Sequence, residues 1–124
     1  MAADRKRGRL SRSGDFDRVY RDGDSHGNRY FVMHAFPRPA DEAEGETRLG
    51  VSVGRKVGDS VARNAVKRAL REAFWALEDA PDGHDFVIVA RPDAAGLVER
   101  DGTAGVQAAL RELLAESAAG KKAA

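Results

Sequence analysis

Residues 53–74 read VGRKVGDSVARNAVKRALREAF, and their spacing decides how the chain is organised. At about 100° per residue, with Arg63 as origin, Lys67 falls at about 40°, Arg71 at about 80°, Asn64 at about 100° and Arg68 at about 140°. Ala62, Val66, Ala69, Leu70, Ala73 and Leu77 fall between roughly 240° and 340° on the same wheel, nearly opposite. The pattern predicts a helix from Asp59 or Ser60 to about Glu78, capped by one of those two residues and ended by Pro81 and Gly83. One side of it packs and the other is offered. No acid lies between Ser60 and Arg71, so the usual Glu/Lys pairing of a solvated helix is missing, and cations four apart repel unless an anion arrives. Phosphate oxygens suit Arg and Lys donors, and the helix start adds partial positive charge near Arg63 and Asn64. The same pattern also describes a basic surface helix with no ligand.

Working outward, RLGVSVG (Arg48 to Gly54) alternates Leu49, Val51 and Val53 on one side. YFVMHAF (Tyr30 to Phe36) is a β-favouring run stopped by Pro37 and Pro39. The acidic DEAEGET between them reads as a solvent loop, and the two runs together suggest an antiparallel pair. On the other side DFVIVA (Asp85 to Ala90) is short and continuously apolar, as a buried central strand would be, and Pro92 closes it. Near the start Ser13 can cap a helix through Asp15, Phe16, Val19 and Tyr20, which Gly23 ends. Val106, Ala109, Leu110, Leu113 and Leu114 have the spacing of an amphipathic helix. The expectation is one α/β domain over residues 13–117, ordered α-β-β-(β)-α-β-α, with a flexible basic tail over 1–12 and a disordered tail over 118–124.

A chain of 124 residues holds one modest core and leaves no room for a separate catalytic module. It has no cysteine, which removes disulfides and thiolate metal sites, and the basic opening MAADRKRGRL lacks the apolar core of a secretory signal. No run approaches the roughly 20 apolar residues of a membrane span. A cytoplasmic location is the resulting expectation. The formal net charge of +1 conceals strong segregation. Residues 1–21 carry seven Lys/Arg against three Asp, and residues 48–71 carry seven against Asp59 alone. Residues 72–86 carry five acids and no Lys or Arg. Such blocks suit a polyanion partner, because a local field depends on which face the charges occupy.

The run Val53 to Phe74 closely resembles the signature of the bacterial ribonuclease P protein family, whose core reads R-N-x-x-K-R followed by a further Arg. Here those residues are Arg63, Asn64, Lys67, Arg68 and Arg71. RLGVSVGRKVG resembles the strand and turn leading into that helix, DFVIVARP the following strand, RGRLSRSGDFDRVYRDG the opening helix and NRYFVMH the next strand. The resemblance covers roughly residues 7–92 in the family's order. It implies a small two-layer α/β sandwich, with the signature helix in an uncommon left-handed crossover between parallel strands, where right-handed crossovers dominate. Arg63, Asn64, Lys67, Arg68, Arg71, Arg55 and Lys56 would then contact a catalytic RNA subunit. Phe16, Tyr20 and His34 would lie in a cleft for the 5′ leader of precursor tRNA. The implied activity is assistance to RNA-catalysed leader removal, with Mg²⁺ held mainly by the RNA and with no membrane or protein partner. One departure is Ala65, where many members have Arg.

Stacking on aromatic faces tolerates any base, as variable leaders require. Phe16 and Tyr20, four apart, equally describe the buried stripe of a short helix, and His34, at a position often aromatic in the family, a packed or surface residue. An independently catalytic nuclease is disfavoured: His26, His34 and His84 are isolated, no HxxxH or HExxH spacing occurs, and no acid aligns with a His or Lys. A non-enzymatic RNA-binding module of related fold, such as a ribosomal protein, would explain charge and aromatics equally well. Only the signature separates the two.

Overall fold

The computed structural model describes residues 6–117. Its centre is a five-stranded sheet made of β1 (Arg7–Arg9), β2 (Asp24–Gly27), β3 (Phe31–Pro37), β4 (Thr47–Val53) and β5 (His84–Ala90), in the order β1-β4-β5-β3-β2. The helices are α1 (Ser13–Asp22), the single turn α2 (Ala40–Ala43), α3 (Ser60–Trp75) and α4 (Ala94–Glu116), with a 3₁₀ turn at Arg55–Val57 before α3. Apolar alternation gives the sheet two packed faces. Phe31, Met33, Leu49, Phe86 and Ile88 form one core with Val66, Leu70 and Phe74 of α3 and Val106, Leu110, Leu113 and Leu114 of α4. On the opposite face Val87 packs with Leu10 and Val19, joined by half-buried Phe16, Phe36 and Val89. The expected α/β sandwich is present, and α1 covers part of the face opposite α3 and α4.

Strand β5 is central because DFVIVA is apolar on both sides and is buried along nearly its whole length. It pairs parallel with β4 and antiparallel with β3. The expected antiparallel pairing of β3 with β4 is therefore corrected: they run in opposite senses, but β5 lies between them. Neighbours in sequence were the wrong guide, since α3 carries the chain over the sheet and returns it beside β4.

Part of the expected basic tail also joins the sheet. Arg7–Arg9 pair parallel with Thr47–Leu49, and Leu10 is buried in the second core. Gly8 permits the approach, since a Cβ there would lie 2.7 Å from Glu46 Oε2. Residues 1–5 and 118–124 of the two expected tails lie outside the described residues. Ser13 does not cap α1: Arg12 holds that position with no side-chain cap bond, while Gly23 ends the helix as expected. Asp59 does cap α3, accepting from the Ala62 N–H at 2.8 Å. That helix stops at Trp75, short of Glu78, because the turn at Ala76 swings Leu77 and Ala80 into the core. The acidic loop holds the turn α2, whose Ala43 is buried. All five apolar positions expected of the last helix are buried on α4. It begins earlier than its periodicity indicated, and Gly102 breaks it with φ 63° and ψ −156°, a conformation that suits glycine.

Candidate nucleic-acid interface

The N-terminal cap and the apolar stripe hold α3 against the sheet, which turns its basic residues outward. Asn64, Arg68 and Arg71 are exposed, and Arg63 and Lys67 are half-buried at the edge. Ala65 is exposed as well, so an Arg at that position would have reached solvent. Arg55 and Lys56, on the preceding 3₁₀ turn, are exposed and extend the patch. None of these six cations has an ion-pair partner among the described residues. The Nε of Arg63 is buried and finds no acceptor among them either. Arg18, Arg38 and Arg48 are used differently, for they converge on the fully buried carboxylate of Asp85. Arginines that hold the fold are thus distinct from those exposed on and before α3.

Two residues beside this face were not singled out from sequence. Trp75 continues the row Arg63, Lys67, Arg71 at about 120° on the same wheel, a signal that was legible in the spacing. Arg7 sits over the Trp75 ring, 5.3 Å from its centroid, and it could not be foreseen because β1 was read as tail.

On the other side of the sheet the three expected cleft residues do come together. The Tyr20 and His34 rings meet edge to face with centroids 4.9 Å apart, and Phe16 lies 6.4 Å from Tyr20. Phe16 is seated over Gly50 of β4, where a Cβ would stand 2.5 Å from its ring carbon Cζ, so glycine there makes the seat. Tyr20 is 43% exposed, whereas Phe16 is half-buried and belongs to the second core. The buried-stripe description thus fits Phe16 in part, while Tyr20 keeps an exposed ring. Burial raises the Tyr20 hydroxyl above its ordinary range, helped by the charge of Asp17 and opposed by Ser52. Burial lowers the His34 imidazole below its usual value, and its buried Nδ1 has no hydrogen-bond partner among the described residues.

Mg²⁺ takes converging oxygen ligands, and among the described residues no three His, Cys, Asp or Glu side chains are placed to hold a metal ion. The described side chains therefore offer no such cluster for that ion. No described helix is long and apolar enough to cross a membrane. A sheet with a basic helix, unpaired among the described residues, on one face and an aromatic cluster on the other defines a class of protein, an α/β domain with two chemically distinct surfaces.

The family within that class follows from comparison. The Ribonuclease P family model matches residues 5–116, and the chain belongs to that family. It is 40% identical over 93 residues to the ribonuclease P protein component of Bacillus velezensis, covering 75% of this chain and 78% of the relative. The Staphylococcus aureus RNase P protein superposes with a TM-score of 0.72 at 33% identity, covering 86% of this chain and 91% of that one. The RNase P protein from Thermotoga maritima gives 0.71 at 31% identity, covering 84% and 92%.

Proposed function

We propose that this chain assembles with a catalytic RNA through the exposed face of α3 and receives the 5′ leader of precursor tRNA in the cleft between α1 and the sheet. The observation that carries the reading is the set of six unpaired cations on and before α3, in a molecule whose interior arginines are ion-paired. On that face Arg63, Lys67, Arg68 and Arg71 bind phosphates, with Asn64 among them, and Arg55 and Lys56 widen the contact. In the cleft the exposed ring of Tyr20 stacks on an unpaired base, Phe16 supports it from below, and the neutral His34 ring closes the far wall. Phosphodiester hydrolysis belongs to the RNA, with Mg²⁺ held there. The protein positions substrate and offsets repulsion between the two RNAs. It acts in the cytoplasm.

Reconstitution with the cognate RNA subunit tests this. Protein freed of RNA is expected to leave precursor tRNA intact, and its addition to the RNA subunit is expected to stimulate leader removal most at low Mg²⁺, where the metal screens least. Cleavage by RNA-free protein, or equal rates with and without protein at low Mg²⁺, would overturn the proposal and favour an independent nuclease or an unrelated RNA-binding role.

A further inference from the structure

Where β1 leads into α1, a polar pocket of about 530 Å³ opens beside the sheet. Exposed Arg9, Ser11 and Arg12 line it together with buried Arg38 and half-buried Arg48. Its three acids are already engaged, Asp15 with Arg48 at 3.3 Å, Glu42 with Arg18 at 2.8 Å and Glu46 with Arg38 at 3.4 Å. Arg9 and Arg12 stand apart from this network. Neither guanidinium has a hydrogen bond, an ion pair or an aromatic ring as partner among the described residues. With Asp85 beneath, Arg18, Arg38 and Arg48 meet four acids, and Arg9 and Arg12 turn that balance from −1 to +1, with the surplus on exposed donors.

We propose that Arg9, Ser11 and Arg12 form a phosphate site for the leader backbone after it has passed the aromatic cluster. The two guanidinium groups donate to phosphate oxygens, and the Ser11 hydroxyl adds a further donor. Continuity makes the leader the occupant. Arg12, Phe16 and Tyr20 are spaced by four, so they continue one row along α1 in steps of about 6 Å. Along β4, Arg48 in the pocket lies two residues from Gly50, the seat of Phe16, and therefore shares its side of the sheet. A single strand with a base on Tyr20 that runs past Phe16 thus arrives at Arg12. Phosphate contacts carry no sequence information, as variable leaders require. The site rests on the reading that the cleft between α1 and the sheet receives the leader, and it makes binding there depend on leader length.

The test uses holoenzyme reconstituted from the full chain and the RNA subunit, titrated at several salt concentrations with precursor tRNAs whose leaders lengthen one nucleotide at a time. Neither guanidinium has a partner in the fold, so the Arg9→Gln/Arg12→Gln double variant is expected to melt like the parent. Parent affinity is expected to keep rising as the leader extends past the nucleotide on Tyr20. The double variant should lose that later gain, and its salt slope on long leaders should fall by up to about 0.7 for each phosphate no longer neutralised on a single strand. Mature tRNA, and leaders too short to reach the pocket, should bind both proteins alike. Arg9→Lys/Arg12→Lys, which keeps both charges, should keep the slope. Parental affinity and slope for the double glutamine variant on the longest leader overturn the phosphate site. An equal loss on mature tRNA overturns it too, since the arginines would then serve another contact. Tyr20→Ala distinguishes the two failures. If it weakens precursor binding while the double variant binds normally, only the phosphate site is refuted. If Tyr20→Ala binds normally and leader length changes nothing in the parent, the leader reading of the cleft is itself wrong.

Discussion

Phe16 and Tyr20 are one helical turn apart and differ in what they cover. Phe16 fills the seat above Gly50 and contacts the second core, whereas the Tyr20 ring is 43% exposed. Tyr20→Ala is expected to leave the fold nearly intact and to weaken precursor tRNA binding by about 1 to 3 kcal/mol, with mature tRNA, which lacks the leader, nearly unaffected. Phe16→Ala should instead approach the roughly 3 to 5 kcal/mol stability loss of a truncated core ring, reduced because the ring is half-buried. Thermal unfolding measured beside both affinities separates the two effects. Equal loss of precursor and mature affinity for Tyr20→Ala would place the ring outside the leader site. His34 adds a pH dependence. Burial lowers its folded value, so the unfolded chain binds the proton more readily. Its contribution to stability is complete above the unfolded value of about 6.5 and is lost as pH falls through the lowered folded value. Melts of the parent between about pH 7.5 and 5 should therefore fall more steeply than those of His34→Phe. Parallel curves would show that His34 is not desolvated in the folded protein.

At the scale of elements, α3 was the most legible part of the chain, because its apolar and basic residues keep separate sides over four turns and Asp59 supplies a cap. Its basic face should behave as a unit. Replacing Arg63, Lys67 and Arg68 together with Ala is expected to weaken assembly with the RNA subunit. The slope of log affinity against log salt should then fall by up to about 0.9 for each phosphate that is no longer neutralised. Fluorescence-independent titration at several salt concentrations measures both, and an unchanged slope would assign the face another role. Strands β3, β4 and β5 were legible one by one and not as a sheet, whereas β2 (Asp24–Gly27) was not read as a strand at all. A run such as DFVIVA announces burial on both faces, but nothing in it names its neighbours, and the pairing with β4 depends on a crossover longer than any local pattern. Strand β1 was hidden for a related reason. Three residues, two of them Arg, carry no alternation to read, and only Gly8 and the buried Leu10 mark the place where the chain meets β4.

Across the whole molecule the basic face of α3 and the aromatic cluster of Phe16, Tyr20 and His34 lie on opposite sides of one sheet. The sequence singled out these residues, but not the network that joins α1 to the sheet between them. Asp85 was read only as the first residue of an apolar strand. In the fold it is fully buried, and Arg48 grips it with two bonds, Nε to Oδ1 at 2.8 Å and Nη2 to Oδ2 at 2.7 Å. Arg38 Nε stands 3.1 Å from Oδ1, and Arg18 Nη2, from α1, stands 3.5 Å from Oδ2. Arg18 also pairs with Glu42 at 2.8 Å, a bond that raises its pKa and lowers that of Glu42. Arg48 reaches Asp15 of α1 at 3.3 Å. Such contacts are long-range in sequence, and composition cannot reveal which acid serves which arginine. Their removal gives the last prediction. Asp85→Asn leaves three guanidinium groups around a neutral amide, and deleting one partner of a buried ion pair costs about 3 to 5 kcal/mol. Because two of the bonds involve α1, the loss should fall hardest on the seat of Phe16 and Tyr20. Under conditions where the variant remains folded, its preference for precursor over mature tRNA should shrink. Assembly with the RNA subunit should keep its salt slope, since α3 packs on the other face. Denaturant unfolding, the affinity ratio and the salt slope measured on one preparation test all three consequences. A variant as stable as the parent would show that the arginines find equal partners elsewhere, and a destabilised variant with an unchanged ratio would show that α1 is held by its apolar contacts alone.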